Sequence, residues 1–194
     1  MVEYRSDVSP PSRHGTWTAL VPIDDSHFEY LYQLAIDEST GFRWRFVGAV
    51  PTKEEFRQSL WKGALSQFLV VETKTERAIG MVVAYQPDLP NGHVYVGAVM
   101  ELSVQATGLG IEAVMLFLRY LFTTWNLRKV YFEVPEYNAE WMVNSIGQYL
   151  KEEGRLKDHS FYDRRWWDKL ILALYYDDYA VGESKLFRSE RSHS

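Results

Sequence analysis

The chain has 194 residues, of which 46% are hydrophobic and 15% aromatic, with a formal net charge of −5 and no cysteine. This length suits one domain around one sizeable core, and the composition excludes disorder of the main body. The negative charge and the lack of a Lys/Arg run argue against nucleic acid as a partner, while the missing cysteines exclude a disulfide framework and zinc–thiolate chemistry. No segment has the pattern of a signal peptide or a membrane span, so we expect a cytoplasmic protein without a membrane partner.

The two ends of the chain differ in composition from the middle. Residues 1–15 are polar with two adjacent prolines and predict an irregular leader. Residues 180–194 are charged and rich in serine, which predicts a flexible tail. We therefore expect residues 16–179 to form the single domain.

The first predicted elements are a short strand at 16–21 and two helices. Asp24 supplies a cap before an amphipathic stretch at 28–35. The second helix follows Thr52. The aromatic and basic segment 41–46 lies between the two helices, and the sequence leaves open whether it lines a site or fills the core.

The second helix has a clear start signal. Thr52 and Glu55 have the spacing of a capping box, in which the side chain of each residue accepts a hydrogen bond from the backbone N–H of the other. Phe56, Leu60 and Trp61 share a face of this helix.

Three predicted strands come next, and a glycine turn follows the third. The strands at 67–72 and 78–85 have hairpin spacing and should pair antiparallel, and a third strand covers 93–101. The remaining predicted elements are a helix at 109–124, a strand at 128–134, a helix at 138–152 and two strands at 155–162 and 167–175.

The turn around Gly108 and Gly110 is the strongest functional signal in the chain. It leads from a strand directly into a long helix, and backbone N–H groups at a helix N-terminus lack partners and bind phosphate oxygens well. A Walker phosphate loop is excluded, because Ile111 and Glu112 stand where Lys and Ser/Thr would be needed. A nucleotide or a coenzyme pyrophosphate remains the expected ligand.

A dinucleotide site is one alternative for this turn. Gly108, Gly110 and Ala113 satisfy G-x-G-x-x-A, and Glu133 follows at about the 20-residue spacing expected for a ribose-binding acid. The dinucleotide fold begins its parallel winding at the glycine turn, however, and here antiparallel strands precede it. The order of elements therefore disfavours an oxidoreductase that binds NAD(P)H.

The residues resemble the GNAT superfamily of N-acetyltransferases, whose coenzyme A signature is Q/R-x-x-G-x-G/A. Gln105, Gly108 and Gly110 match this signature. Asn138 and the stretch from Glu153 to His159 are similar to the ribosomal-protein N-terminal acetyltransferase-like branch, with Asp168 where that branch has an aspartate.

This resemblance implies an α/β (α+β) GNAT fold with a mixed central sheet of about seven strands flanked by helices. The sheet should be splayed between its fourth and fifth strands. The implied activity is transfer of an acetyl group from acetyl-CoA to a primary amine of a small molecule or a peptide N-terminus, by direct attack in a ternary complex. A catalytically silent coenzyme- or partner-binding module is the alternative.

The resemblance also assigns residues to the cosubstrate. The backbone of the strand before the turn should contact the pantetheine arm, the turn should hold the pyrophosphate, and Asn138 should contact the coenzyme. These residues are Val99, Met100, Gln105, Ala106, Thr107, Gly108, Leu109, Gly110, Ile111 and Asn138.

Acyl transfer to an amine needs a base for the nucleophile and an acid for the leaving thiolate. Glu101, at the end of the predicted strand 93–101, is the candidate base and would act directly or through water. The family's acid lies on the fourth helix, where spacing from Asn138 selects Ser145, with Tyr149 as a second candidate. Each of these hydroxyls could equally serve in packing.

Candidate acceptor contacts come from aromatic and titratable residues outside the glycine turn. They are Trp44, His159, Tyr162, Trp166 and Asp168. The five histidines lack the spacing of a metal site, so no metal is expected. The protein is expected to be a monomer or a homodimer.

Overall fold

A computed structural model describes residues 12–44, 46–139, 142 and 147–191, with side chains as far as 183. Within these residues the elements are β1 (Thr18–Val21), α1 (Phe28–Ile36), α2 (Lys53–Ser59), β2 (Ala64–Glu72), β3 (Arg77–Asp88), β4 (His93–Met100), α3 (Leu109–Thr124), β5 (Lys129–Pro135), β6 (Leu150–Tyr162), β7 (Arg165–Tyr175) and α4 (Tyr176–Arg191). Short 3₁₀ turns occur at 25–27, 41–43, 102–104 and 136–138. No helix in the described part of the chain is both long enough and apolar enough to cross a bilayer.

Local sequence signals explain where the helices begin. Thr52 and Glu55 form both hydrogen bonds of the capping box that starts α2, as predicted. Asp24 caps the 3₁₀ turn that leads into α1. Gly108, at φ +87°, precedes α3 in the left-handed conformation that glycine adopts without strain.

The strands form one mixed sheet in the order β1-β2-β3-β4-β5-β7-β6. β4 and β5 pair in parallel, whereas β4 pairs antiparallel with β3 and β5 pairs antiparallel with β7. Pairing between β4 and β5 is limited to three residue pairs, from His93–Lys129 to Tyr95–Tyr131. Beyond these pairs the two strands separate, which confirms the predicted seven-stranded sheet and its splay.

A hydrophobic core lies on each face of the sheet. Side chains of α3 pack on one face with Val82, Val96 and Phe132. Those of α1 and α2 pack on the other face with Met81 and Val99. Successive strand residues belong to different cores because side chains alternate across a sheet.

The helix predicted at 138–152 is wrong in its described parts. Residues 136–138 form a 3₁₀ turn, residues 147–149 lie in a turn, and β6 begins at Leu150. Leu150 pairs with Leu174 of β7 and Glu152 pairs with Leu172, so strand pairing overrides the local helical pattern. Residues 140, 141 and 143–146 of that prediction lie outside the described residues.

Two other features differ from the sequence patterns. Phe56 and Leu60 are buried, whereas Trp61, which follows the end of α2 at Ser59, is 53% exposed. The predicted division between domain and tail, at 179, falls inside α4. There Tyr179 is buried with its ring 5.0 Å from that of Phe122, and Arg119 bonds Glu183 at 2.6 Å.

Candidate active site

A cleft of about 1320 Å³ opens where β4 and β5 separate. One side is formed by the turn before α3. The other is formed by residues 40, 42–44 and 47 between α1 and α2, by Lys62 after α2, and by parts of β5, β6 and β7. The cleft therefore joins the two faces of the sheet through the splay.

The glycine turn presents unpaired backbone donors to this cleft. Ala106, Gly108 and Gly110 line it, and within the described part of the chain their N–H groups form no hydrogen bond. A Cβ added at Gly108 would meet nothing within 4 Å, so the approach to the backbone is open. Together with the N-terminus of the 16-residue α3, these donors form a site suited to a pyrophosphate.

The walls next to the turn fit the remainder of a coenzyme. Val99 and Met100 line the cleft at the end of β4, and Gln105, Thr107 and Ile111 line it beside the turn. The structure thus brings together nine of the ten predicted cosubstrate contacts, since only Leu109 is absent from the lining. 

Asn138 is the predicted contact on the opposite wall. It lies in the 3₁₀ turn after β5 and lines the cleft. Its side-chain oxygen is buried and has no partner in the described structure. A buried polar atom without a partner is costly unless a ligand or water satisfies it. The residues present therefore fit a bound coenzyme A.

Glu133 of β5 is a cleft residue that sequence reasoning considered only for a dinucleotide. Its side chain is on the face that carries α1 and α2, since its neighbours Phe132 and Val134 pack toward α3. Lys169 of β7 lies on the same face, with its Nζ 3.6 Å from Glu133 Oε2. Both residues line the cleft.

Glu101, the base expected from the sequence, lies outside the cleft lining. Its Oε2 accepts hydrogen bonds from Arg77 at 2.5 Å and from Ser103 at 3.1 Å. The buried Tyr30 hydroxyl lies near this carboxylate. Its pKa is raised mainly by burial and in addition by the negative charge of Glu101. The structure thus ties Glu101 into a polar cluster beside the end of β4.

Of the two candidate acids, the structure describes only Tyr149, which does not line the cleft. Ser145 lies outside the described residues. Tyr149 is in the turn before β6 and packs against the core on the α3 face, with its hydroxyl accepting a hydrogen bond from Gln148 at 3.2 Å.

A cluster of aromatic side chains contributes to the wall of the cleft. Phe42 stacks on Tyr162 with ring centroids 4.3 Å apart and planes at 3°. Tyr137 lies 4.8 Å from Tyr162 and 5.6 Å from Trp167. Phe42 and Tyr137 line the cleft, whereas Tyr162 supports them from behind.

Trp44 and His159 line the cleft as predicted. Trp44 also packs edge-on against Phe56 at 6.2 Å, so the segment 41–46 both lines the site and contributes to the core.

Trp166 and Asp168 are not brought to the cleft. Trp166 is 59% exposed near the tip of the β6–β7 hairpin. Asp168 accepts hydrogen bonds from Lys157, Arg155 and the backbone N–H of Asp158. These bonds lower the pKa of its carboxyl to about 2, and the bond from Lys157 has the largest effect. No cluster of potential metal ligands occurs among the described residues.

The fold and the glycine turn define the family. The sequence model of the family described as acetyltransferase (GNAT) domain matches residues 18–142, which is more than half of the chain. The chain therefore belongs to the GNAT acetyltransferases, enzymes that take the acetyl group from acetyl-CoA. A comparison with curated protein sequences gives no match to this chain.

Solved structures confirm the fold. A chimera of spermidine N-acetyltransferase SpeG from Vibrio cholerae and hSSAT is 17% identical with a TM-score of 0.72, over 85% of this chain and 99% of that chain. The structure of SpeG from Vibrio cholerae in complex with CoA and spermine is 19% identical, with a TM-score of 0.70 over 86% of this chain and 99% of that chain. The comparisons confirm the superfamily and give no support to the ribosomal-protein branch.

Proposed function

We propose that the protein transfers an acetyl group from acetyl-CoA to the primary amine of a small molecule or a peptide N-terminus, by direct attack in a ternary complex. The observation that carries this proposal is the glycine turn, whose unpaired N–H groups open into a cleft at the splay of the sheet. Bound acetyl-CoA would supply a thioester that is activated toward amines.

The chain's own residues would hold and orient this cosubstrate. The N–H groups of the turn bind the pyrophosphate, and the Gln105 side chain contacts a phosphate. The backbone of Val99 and Met100 aligns the pantetheine arm along β4, and the orphan oxygen of Asn138 accepts a hydrogen bond from it. Fixing the thioester at the splay places it beside the acceptor and lowers the entropic cost of reaction.

Glu133 is our proposed base. It is the only carboxylate among the described residues that line the cleft, and it lies on the face opposite α3, where an amine would enter. Its carboxylate would orient the ammonium group and take its proton, directly or through water. The donor to the departing thiolate is not assigned among the described residues, and Ser145 stays a prediction.

The first experiment is a calorimetric titration of the protein with acetyl-CoA, free CoA and NADH, with Gly108→Glu and Gly108→Gln as variants. The two variants share the same strain and nearly the same size, so they differ in charge alone. We expect the Glu variant to bind acetyl-CoA at least about tenfold more weakly than the Gln variant, because its carboxylate repels the pyrophosphate.

Preference for NADH, or equal binding by the two variants, would overturn this assignment of the turn. Release of free thiol is then followed with a panel of amines. Binding of acetyl-CoA without turnover on any of them would favour a silent binding module.

The finer assignments are part of the same proposal. Residues 16–179 would form the acyltransferase domain, working as a monomer or a homodimer. A cytoplasmic location is supported by the absence of cysteine, which suits a reducing compartment without requiring one. The likeness of Asn138 and residues 153–159 to the ribosomal-protein branch supports a peptide N-terminus as one possible acceptor.

A further inference from the structure

The cleft has a coenzyme side and an acceptor side, which the sheet separates. The glycine turn and α3 lie on one face, with Val96 and Phe132. Residues 42–44, Val47 and Lys62 lie toward the other face, which we call the acceptor side. Groups that line the cleft there would meet the amine after the thioester has been placed in the splay.

Three elements each bring one cation to the acceptor side. Arg43 lies in the 3₁₀ turn between α1 and α2, Lys62 follows α2, and Lys169 is on β7. Lys62 is positioned beside the end of β3, because the N–H of Gln86 donates to the carbonyl of its neighbour Gly63 at 3.1 Å. All three side chains line the same cleft.

These cations outnumber the carboxylates available to them. Glu133 is the single carboxylate in the described lining, and Lys169 already lies 3.6 Å from it. Arg43 and Lys62 form no ion pair with any described residue, and both are exposed to the cleft. A polyamine would bring several positive charges to a site that is already positive, which is unfavourable.

The same wall offers apolar surface. Phe42 is held flat against Tyr162, and the guanidinium of Arg43 lies 5.1 Å from the centre of the Phe42 ring. Tyr137 continues this surface toward β5. An apolar body could lie on these rings while its anionic group reaches Arg43 and Lys62.

We propose that the acceptor is an amine that also carries an anionic group on an apolar body, and that Arg43 and Lys62 bind this anion. The anion is a carboxylate or a phosphate, which have the same chemistry toward these cations. The inference rests on the proposed acetyl transfer and deepens it, since it separates the acceptor of this chain from the spermine bound in the SpeG complex.

The test uses the protein saturated with free CoA, so that the coenzyme phosphates already occupy their site. Calorimetry then measures the binding of 3-phenylpropionate, phenyl phosphate and spermidine at low salt. The first two probes each carry a phenyl ring, with a carboxylate on a two-carbon linker in one and a phosphate ester in the other. The third probe is a polycation without an aromatic ring. We expect at least one aromatic anion to bind about tenfold more tightly than spermidine.

Three variants locate the binding site. Arg43→Met and Lys62→Met remove the cleft cations, and Lys74→Met removes an exposed cation in the β2–β3 turn, with the same change in net charge. We expect each cleft variant to weaken binding of the aromatic anion about tenfold, equivalent to roughly 1.4 kcal/mol, and the control to leave it unchanged.

The outcomes separate this inference from the proposed function. Failure of the protein to bind CoA in the first step would overturn the acetyltransferase assignment itself. Normal CoA binding with tighter spermidine binding, with no binding of either anion, or with anion binding unaffected by both cleft variants would overturn the anion site alone. A loss of CoA affinity in the cleft variants would assign Arg43 and Lys62 to the coenzyme phosphates instead.

Discussion

At the level of single residues, the proposed role of Glu133 combines binding of the acceptor with proton transfer, and Lys169 lies beside it. In the proposed reaction the Glu133 carboxylate attracts the acceptor's ammonium group to the splay, and the Lys169 Nζ lies 3.6 Å from its Oε2. Both side chains come from neighbouring strands of the continuous sheet, so their positions are held by backbone pairing rather than by a loop. Such support keeps a reacting group in place when the substrate binds.

We predict that Glu133→Gln lowers kcat for any accepted amine by about 10²- to 10⁴-fold, because the amide keeps the shape but cannot take a proton. Affinity for acetyl-CoA should be unchanged in calorimetry. The matched variant is Glu101→Gln, which alters the carboxylate bonded to Arg77 outside the cleft lining. Loss of turnover in Glu101→Gln with normal turnover in Glu133→Gln would return the role of base to the residue that the sequence selected.

The contrast between these two glutamates shows what the sequence could predict at this scale. The glycine turn was found because Gln105, Gly108 and Gly110 are close in sequence and their spacing carries the chemistry. The role of Glu133 depends on which face of β5 it occupies and on Lys169, which is 36 residues later in the chain. Local patterns do not contain that information.

At the level of elements, α3 is attached to β1 by the buried Glu112. Its carboxylate accepts hydrogen bonds from the backbone N–H of Thr16 at 2.8 Å and of Trp17 at 3.0 Å, and from the Thr18 hydroxyl at 2.7 Å. Glu112 is 7% exposed. The edge strand is thus held against the helix whose first turn forms the pyrophosphate site.

We predict that Glu112→Ala lowers the free energy of unfolding by roughly 1–3 kcal/mol, because it leaves buried donors without an acceptor. Urea unfolding followed by tryptophan fluorescence measures this change, and Glu38→Ala provides an exposed control. Equal stability of the two variants would show that water satisfies the donors at β1.

Element boundaries were predictable where packing and local pattern agree. The structure gives α3 the predicted limits of 109–124, because its apolar face and the glycine turn point to the same helix. The opposite case is 150–152, which has a helical pattern but pairs with β7. Pairing between distant segments decided that region.

At the level of the whole molecule, one polar cluster joins the last three strands of the sheet. Glu153 accepts hydrogen bonds from Lys129 at 2.6 Å, from Tyr131 at 2.8 Å and from Tyr175 at 2.5 Å. Burial alone would raise the pKa of its carboxyl, but these bonds, led by the one from Lys129, lower that pKa to about 2. The folded state therefore favours the ionised carboxylate.

This shift predicts a specific pH dependence of stability. A carboxyl whose pKa is lower in the folded than in the unfolded chain stabilises the fold above the unfolded value, here the reference 4.5, and loses that effect as pH falls toward about 2. We expect the free energy of unfolding of the natural protein to fall more steeply across this window than that of Glu153→Gln. Asp168 titrates in the same window in both proteins and cancels in the difference. Parallel pH profiles would contradict the prediction.

The splay has a further consequence for the sheet. Between β4 and β5 the ladder ends after Tyr95 and Tyr131, so the backbone groups that face the gap from the later residues of both strands have no strand partner. The pantetheine arm of coenzyme A contains two amide groups, and in the proposed complex it would pair with these backbone groups in the gap. We therefore expect bound cosubstrate to extend the hydrogen bonding between β4 and β5 beyond these three residue pairs. Amide hydrogen exchange along the inner edges of β4 and β5 should then be slower in the complex than in the free protein.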